Sequence, residues 1–252
     1  MADEKVFEPF FVTKLTDHTF IFNERGSSSS VLVIGSKQAL VVDTLNGWNN
    51  CRKEFQKYTD EPLFVVNTHA HCDHIGGNIY FDEVHINYDD LPLLKTFPDS
   101  LKVTKVSPLK IGQIIDLGDG HEVEVLSCKG HTQGSVVLLD RYDKTLYTGD
   151  AIIAHEWLQL PEATTVETYY EELTKLMPYR HCFDKIISGH GCGYEDASLF
   201  DNIYAEVKKI LAGDTENDVK LTDDPYAGEC MVRLYGDPDK GNRILYQEDK
   251  IR

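Results

Sequence analysis

The sequence predicts a mixed α/β protein with two groups of strands. Short apolar runs rich in β-branched residues alternate with turn residues in two separate stretches of the chain, which is typical of sheets. Other segments place apolar residues at helical spacing and end at glycine or proline, which indicates helices. The 252 residues suffice for one domain with a large core, or for one domain with a small appendage.

The first group of strands is predicted to be an antiparallel meander. The short connection at residues 35–37 indicates a hairpin. The small, polar loop at residues 25–30 is interpreted as a solvated turn, with a flexible pocket rim as the alternative. The apolar runs of the meander occupy residues 10–12, 19–22, 31–34 and 39–43.

The later elements alternate between helices and strands. A helix at residues 48–58 precedes an apolar run at residues 62–67, which is typical of a buried strand. A capping sequence at residues 164–167 starts a helix that Pro178 stops, and Gly213 closes a long helix at residues 199–211. A short helix is expected at residues 88–95, and strands at residues 84–86, 101–106, 111–117, 123–127, 136–140, 145–147 and 185–188.

The composition divides the chain near residue 213. We predict one domain of residues 1–213, followed by an acidic linker and a short C-terminal β-ribbon within residues 214–252. The ribbon would pair residues 232–234 with residues 243–246 and pack on the domain.

The charge and the N-terminus restrict the partners and the compartment. The formal net charge is −17 without any compensating basic cluster, which disfavours binding to nucleic acid. Residues 1–5 are acidic and lead into no signal-type apolar core, and no window reaches the roughly 18 apolar residues of a membrane span. We expect a cytoplasmic protein with a small-molecule substrate and no membrane partner; a homodimer is compatible with the sequence.

The six cysteines form no C-x-x-C pair, so they are predicted to be free thiols in a reducing compartment. Cys72 is interpreted as structural, because in an extended strand it would face away from His71.

Residues 68–77 carry the strongest chemical signal. His69, His71, Asp73 and His74 fall within six residues directly after the strand at residues 62–67, and paired glycines close the segment. In extended backbone His69 and His71 point the same way and can bind one ion. The following turn directs Asp73 and His74 elsewhere, which favours a second ion. Such a density of ligand-type side chains indicates a metal site.

Three later segments repeat one pattern, in which a hydrophobic strand is followed by a glycine and then by a metal-competent residue. Scaffolds present such residues at strand ends, where a glycine allows the chain to turn sharply. The segments end in His131, Asp150 and His190.

With these residues the chain resembles the metallo-β-lactamase superfamily, whose motif H-x-H-x-D-H followed by H, D and H it matches between about residues 10 and 213. The resemblance implies a four-layer αββα sandwich, an α/β fold in which helices flank two mixed β-sheets, with the site at one edge. It further implies that residues 1–213 form the catalytic domain. Asp43 matches the family's aspartate that orients a ligand histidine from outside the ligand set.

The resemblance also implies the ligand assignment. The first ion would be bound by His69, His71 and His131, the second by Asp73, His74 and His190, and Asp150 would bridge the two. The implied cofactors are two divalent metal ions, zinc in the first place, with iron or manganese as alternatives.

Within the superfamily, the bridging aspartate and the complete histidine set are similar to the hydroxyacylglutathione hydrolase (glyoxalase II)-like and lactonase branch. Two features depart from it. The chain after His190 is short and acidic, whereas those thioesterases carry basic residues on an extra C-terminal helical region. The lactonases have a tyrosine three residues after the bridging aspartate, where this chain has Ile153.

The implied activity is hydrolysis of a small thioester, ester or lactone by a hydroxide held between two ions, with Asp73 and Asp150 as the catalytic carboxylates. His155 and Trp157 are expected in the substrate pocket, although Trp157 is equally compatible with a core position. Two alternatives of the same fold are a single-iron persulfide dioxygenase and a phosphodiesterase or nuclease. A non-catalytic module is disfavoured, because structural zinc sites usually saturate their coordination with protein ligands.

Overall fold

The structure is a computed structural model that describes residues 9–102 and 105–252. The interpretation of residues 1–5 concerns a segment outside this part of the chain. Within the described residues, no helix combines the length and the apolar character needed to cross a membrane.

The first large sheet has seven strands. They are β1 (Phe11–Lys14), β2 (Thr19–Asn23), β3 (Ser29–Ile34), β4 (Ala39–Val42), β5 (Leu63–Val66), β6 (Glu83–Ile86) and β7 (Lys105–Pro108). Their order in the sheet follows the chain. Strands β1 to β4 pair antiparallel with their sequence neighbours, which confirms the predicted meander. Strands β5, β6 and β7 join in parallel, and the apolar, β-branched run of β5 suits a strand covered on both faces.

The second large sheet has six strands. The chain continues with β8 (Ile114–Gly118), β9 (His121–Ser127), β10 (Val136–Asp140), β11 (Thr145–Gly149), β12 (His155–Leu158), β13 (Lys185–Ser188) and β14 (Glu195–Asp196). All of these except β12 form the sheet, in the order β14-β13-β11-β10-β9-β8. Only the pair β11 and β13 is parallel among the described strands of this sheet.

The main core lies between the two large sheets. One buried cluster joins Val33 and Val66 of the first sheet to Val125, Leu138 and Tyr147 of the second. Helices cover the two outer faces. They include α1 (Cys51–Phe55), α2 (Cys72–Ile75), α3 (Leu91–Leu94), α4 (Val166–Leu176) and α5 (Ser198–Leu211).

The helices complete a sandwich of four layers. Leu173 of α4 and Phe200 of α5 pack in one cluster with Val137 and Leu139 of β10, on the outer face of the second sheet. Phe55 of α1 packs against the outer face of the first sheet. The αββα architecture implied by the resemblance is therefore confirmed.

Several elements differ from their predicted bounds, among them one helix and one strand. The helix predicted at residues 48–58 is shorter, because the Asn50 side chain accepts a hydrogen bond from the Lys53 N–H and so sets the helix start. The strand predicted at residues 101–106 begins later, at Lys105. Leu101 instead belongs to a 3-10 helix, Pro98–Lys102, whose first residue has a backbone φ suited to a helix start. Residues 103 and 104 of the predicted strand lie outside the described part of the chain.

A third sheet links the C-terminal residues to the rest of the fold. Strands β15 (Val219–Asp224), β16 (Gly228–Leu234) and β17 (Arg243–Tyr246) join β12 in the order β12-β17-β16-β15. The predicted pairing of residues 232–234 with residues 243–246 is confirmed. The parallel pairing of β17 with β12 was not expected from the sequence pattern, which does not identify the partner of a distant strand. The division of the chain at residue 213 stays a prediction.

The third sheet supplies a test of how firmly these residues belong to the fold. Ile244 in β17 is 0% exposed and packs in the same core as α4 and α5, whereas Leu234 in β16 is 62% exposed. We expect Ile244→Ala to lower the free energy of unfolding by about 2–5 kcal/mol through loss of buried contacts. The matched control Leu234→Ala should stay within about 0.5 kcal/mol of wild type. Urea denaturation measures both, and an unchanged midpoint for Ile244→Ala would contradict an integral third sheet.

A buried carboxyl predicts how stability depends on pH. Glu156 accepts a hydrogen bond from the Tyr169 hydroxyl at 2.9 Å, and burial raises the pKa of Glu156 to about 8 despite that bond. The folded protein therefore retains a proton that the unfolded chain releases near pH 4.3. As the pH rises towards 8, the contribution of Glu156 to the free energy of unfolding falls by up to about 1.4 kcal/mol per pH unit. Glu156→Gln should remove this dependence. Relative to wild type, the free energy of unfolding of the variant should therefore increase between pH 5 and pH 8. Parallel pH profiles of the two proteins would contradict the raised pKa of Glu156.

Candidate metal centre

Seven ligand-type side chains meet where strands of both large sheets end. The segment after β5 supplies four of them, and the segments after β9, β11 and β13 supply one each. The parallel strands β4 and β5, and the parallel pair β11 and β13, end at this same edge, so the loops that follow them converge. The seven are His69, His71, Asp73, His74, His131, Asp150 and His190.

The first group consists of His69, His71 and His131. One ring nitrogen of each lies within 4.8 Å of the others. His71 Nδ1 is 2.8 Å from His131 Nε2. His69 and His131 are almost completely buried, whereas His71 is half-buried and lines a cavity.

The second group consists of Asp73, His74 and His190, whose ligand atoms also lie within 4.8 Å of one another. Asp150 lies between the groups. Its Oδ2 is 3.1 Å from His190 Nε2 and 3.7 Å from His131 Nε2, and its Oδ1 is 3.5 Å from His74 Nε2. The positions suit the bridging role predicted for Asp150; that role stays a prediction.

Each of the five histidines contacts a partner outside the cluster through the ring nitrogen that points away from the centre. His74 Nδ1 lies 2.9 Å from Asp43 Oδ2, and His71 Nε2 lies 2.5 Å from Glu162 Oε1. The remaining three contacts join His69 to the Thr68 hydroxyl, His131 to the Trp157 carbonyl and His190 to the Ser27 carbonyl, at 3.0, 3.1 and 3.0 Å. Such contacts fix the tautomer and the orientation of a ligand histidine. Each ring consequently presents its free nitrogen to the centre.

The donor atoms fit divalent cations. His69 Nε2, His74 Nε2 and Asp150 Oδ1 are buried without a hydrogen-bond partner among the described residues, although buried polar atoms are normally paired. All three face the same centre. Five imidazole nitrogens and two carboxylates are a ligand set typical of zinc, and suited also to iron and manganese.

The electrostatics of the cluster also favour positive charge. Burial lowers the pKa of His74, but the negative charges of Asp150, Asp73 and Asp43 outweigh burial and raise it well above its ordinary value. Burial likewise acts against the proton of His190, yet Asp150 raises the pKa of His190 to about 9. The carboxylates therefore stabilise cations at the positions where their oxygens converge.

Two histidines of the first group, His69 and His131, have lowered pKa values. Burial lowers the pKa of His131 to about 4, and neighbouring His71 adds to the effect. Burial also lowers the pKa of His69 well below its ordinary value. Both rings are therefore neutral at pH 7, which is the protonation state that binds a metal ion.

Asp43 is placed to support the ligands. It directly follows β4 with φ +62°, a left-handed conformation that aspartate tolerates better than most residues. Its Oδ1 accepts the Thr68 N–H at 2.7 Å and its Oδ2 accepts the Thr68 hydroxyl at 2.8 Å. Asp43 therefore contacts His74 directly and His69 through the Thr68 hydroxyl. The orienting role that the resemblance implied for Asp43 stays a prediction.

Gly189 explains why a glycine precedes His190. A Cβ at position 189 would collide with Asp150 Oδ1 and would come within 2.6 Å of His74 Cε1. No residue with a side chain fits here without displacing the centre.

The sequence interpretation missed several supporting residues. Buried Asp90 accepts hydrogen bonds from Ala70 N, the Thr132 hydroxyl and Gly134 N at 2.9, 2.8 and 2.6 Å, and so ties the segment after β5 to the segment after β9. Glu162 likewise carried no sequence signal beyond its type. Neither residue lies in a motif or at a strand end, which is why the pattern did not indicate them.

The loop at residues 25–30 was wrongly interpreted as a solvated turn. Ser28, Ser29 and Ser30 are buried, and the Ser29 N–H donates to the Gly189 carbonyl at 2.7 Å. The loop therefore holds the His190 segment in place. Small serine side chains permit this close packing, an effect that polarity alone does not reveal.

A cavity of about 640 Å³ opens in front of the centre. His155 and Trp157 both line it, next to ligand residues of both groups. Cys72 also lines it and is exposed, contrary to its interpretation as a structural residue, because the chain turns into α2 at His71 instead of remaining extended. The six cysteines are free, as predicted.

The chain is similar in sequence to known proteins. A family model described as the metallo-β-lactamase superfamily matches residues 23–190. The acyl-coenzyme A thioesterase MBLAC2 of Homo sapiens is 28% identical over 211 residues, which cover 67% of this chain and 75% of that protein. A hydroxyacylglutathione hydrolase of Halorhodospira halophila is 31% identical over 138 residues, which cover 48% of this chain and 51% of that protein.

Solved structures show the same fold. The metallo-β-lactamase DIM-1 superimposes with a TM-score of 0.65 at 22% identity, covering 81% of this chain and 99% of that chain. A metallo-β-lactamase from Pontibacter korlensis gives a TM-score of 0.63 at 19% identity, covering 79% and 99%. Since the family model spans more than half of the residues and ends at His190, the chain belongs to the metallo-β-lactamase superfamily.

Proposed function

We propose that this protein is a hydrolase that uses two divalent metal ions, zinc in the first place, to cleave a small thioester, ester or lactone. The observation that carries the proposal is the pair of ligand groups, His69, His71 and His131 beside Asp73, His74 and His190, with Asp150 between them at the base of a cavity. Structural metal sites are usually closed by protein ligands, whereas catalytic sites leave a position open to substrate.

The ions and the protein divide the chemistry. When bound, two neighbouring divalent ions lower the pKa of water towards about 7 and polarise a carbonyl oxygen. The protein fixes the ligands, because every histidine ring is hydrogen-bonded from behind. Preorganised ligands of this kind lose no energy to rearrangement during the reaction.

The two catalytic carboxylates would have different tasks. Burial acts to raise the pKa of Asp150, but the charges of His74 and His190 hold it well below its ordinary value, so this carboxylate stays ionised between the two groups. Asp73 lines the cavity, and its Oδ2 faces His74 and His190 at 3.5 and 3.6 Å. We assign to the Asp73 carboxylate the transfer of a proton from the attacking water to the leaving group.

Two lines of support favour carboxylic thioesters and esters over phosphodiesters. Two relatives in sequence are an acyl-coenzyme A thioesterase and a hydroxyacylglutathione hydrolase. The net charge of −17 opposes binding to a nucleic-acid backbone, and no lysine or arginine lines the cavity within the described residues. The expectations of a cytoplasmic location, of no nucleic-acid or membrane partner and of a homodimer stay predictions.

Metal analysis combined with a substrate panel tests the function. We expect about two equivalents of zinc per chain. In a panel of thioesters, esters, lactones, β-lactams and phosphodiesters, we expect the protein to hydrolyse members of the first three classes. Asp150→Ala should abolish every activity. Asp73→Asn, compared with wild type at full metal content, should lose about 10²–10⁴-fold in kcat, the usual contribution of general acid–base catalysis.

Other outcomes would redirect the assignment. One equivalent of iron with oxygen uptake on a persulfide would indicate a single-iron dioxygenase, and phosphodiester cleavage a nuclease. Retained rate in Asp150→Ala would show that the bridging assignment is wrong, and unchanged turnover of fully metallated Asp73→Asn would refute its role in proton transfer.

Glu162 provides a separate test of how the metal is held. Loss of a partner behind a ligand histidine typically weakens metal binding about 10–100-fold. We expect Glu162→Gln to raise the Kd for zinc by about that factor, measured by competition with a coloured chelator. Glu171→Gln, an exposed change on α4, is the matched control. Equal Kd values for wild type and Glu162→Gln would show that the contact with His71 does not matter.

A further inference from the structure

Five apolar side chains line the cavity in front of the metal centre, together with ligand residues of both groups. They are called the apolar wall and belong to Phe97, Ile153, Trp157, Leu160 and Tyr226. The charged side chains among the described lining residues, other than histidines, are the carboxylates Asp73, Asp150 and Glu162. An anionic group placed against this wall would meet no lysine or arginine among the lining residues. Burial of an uncharged apolar group against it would be favourable, because apolar surface is removed from water.

Strand geometry fixes the position of Trp157. Successive side chains of β12 alternate in burial: His155 and Trp157 are half-buried on the cavity side, and Glu156 and Leu158 are buried on the core side. The Trp157 carbonyl also accepts the hydrogen bond from His131 Nδ1 at 3.1 Å. The indole is therefore held at a set place relative to a ligand of the metal centre.

Tyr226 comes from the turn between β15 and β16. Asp224 Oδ1 accepts the N–H groups of Tyr226 and Ala227 at 3.0 and 2.7 Å, and Gly228 takes φ +74° to close the turn. The Tyr226 ring lies 5.4 Å from the Trp157 ring between centroids, although its side chain is 59% exposed. A fixed turn thus holds a large aromatic ring open to solvent at the mouth of the cavity.

We propose that Trp157 and Tyr226 form a binding subsite for an apolar, uncharged acyl group, and that Tyr226 is a specificity-determining residue supplied by the C-terminal sheet. This inference rests on the proposed function, since it names the substrate class of the same site. The preferred substrates would be thioesters or esters of medium-chain aliphatic or aryl carboxylic acids. The common biological thiols carry phosphates or carboxylates, which this wall does not accommodate, so the acyl group and not the leaving group occupies it.

A series of thioesters that share one neutral thiol distinguishes the effect of the acyl group from the effect of the leaving group. With acetyl, butanoyl and hexanoyl thioesters of N-acetylcysteamine, kcat/KM should rise about fourfold per methylene, which corresponds to about 0.8 kcal/mol at 1.4 kcal/mol per factor of ten. The succinyl thioester should be poorer than the butanoyl thioester, because its terminal carboxylate meets the acidic, apolar wall. Lengthening an apolar thiol with a constant acetyl group should have no comparable effect.

Variants connect this preference to Tyr226. Tyr226→Ala should reduce the increment to about twofold per methylene, since part of the apolar wall is lost. Tyr226→Phe should keep the wild-type increment. Tyr142→Ala is the matched control, because Tyr142 is 61% exposed and does not line the cavity.

A binding measurement distinguishes failure of this inference from failure of the proposed function. In a Trp48→Phe background, the fluorescence of Trp157 reports titration with hexanoate or acetate. Tighter binding of hexanoate, weakened by Tyr226→Ala, would support the subsite even if no substrate in the panel is hydrolysed. Each of the following results would overturn the subsite. In the kinetic assays, these are a rate of hydrolysis that does not depend on acyl length, an increment per methylene that is unchanged in Tyr226→Ala, or a rate that depends on the thiol instead of the acyl group. In the binding assay, it is equal affinity for hexanoate and acetate.

Discussion

The structure depends on holding five imidazole rings and two carboxylates in one small volume, with every ring turned in a defined direction. A ring can serve such a cluster only if its outer nitrogen is engaged elsewhere, because a freely rotating histidine presents either nitrogen or neither. Here the outer nitrogens are bound by two carboxylates, one hydroxyl and two backbone carbonyls. These partners come from four separate parts of the chain, so the sandwich as a whole keeps the centre in shape.

The sequence revealed the side chains that face the centre and few of those behind them. His69, His71, Asp73 and His74 form a dense local motif, and His131, Asp150 and His190 each follow a glycine at a strand end. A backbone carbonyl such as that of Ser27 or Trp157 has no residue-type signal, because any residue supplies one. Its position follows from long-range packing, which a single sequence does not encode in a readable pattern.

The fold shows the same limit. Local alternation and turn residues were enough for the meander of β1 to β4, since each strand pairs with its neighbour in the chain. They were not enough for β12 and β17, whose pairing joins distant segments in parallel. The pattern predicted a ribbon at the C-terminal end, and the structure adds that the ribbon continues into the strand that carries Trp157.

Pairing of β12 with β17 has a consequence for how the protein acquires its activity. His155 and Arg243 are 88 positions apart, and closing so long a loop in parallel is among the slower steps of folding. Four ligand-type residues, in contrast, lie within six positions after β5, and they are together as soon as that segment turns. We therefore expect the first contacts with a cation to form at this segment before the cavity wall is complete, whereas the full centre forms only when His131, Asp150 and His190 join it.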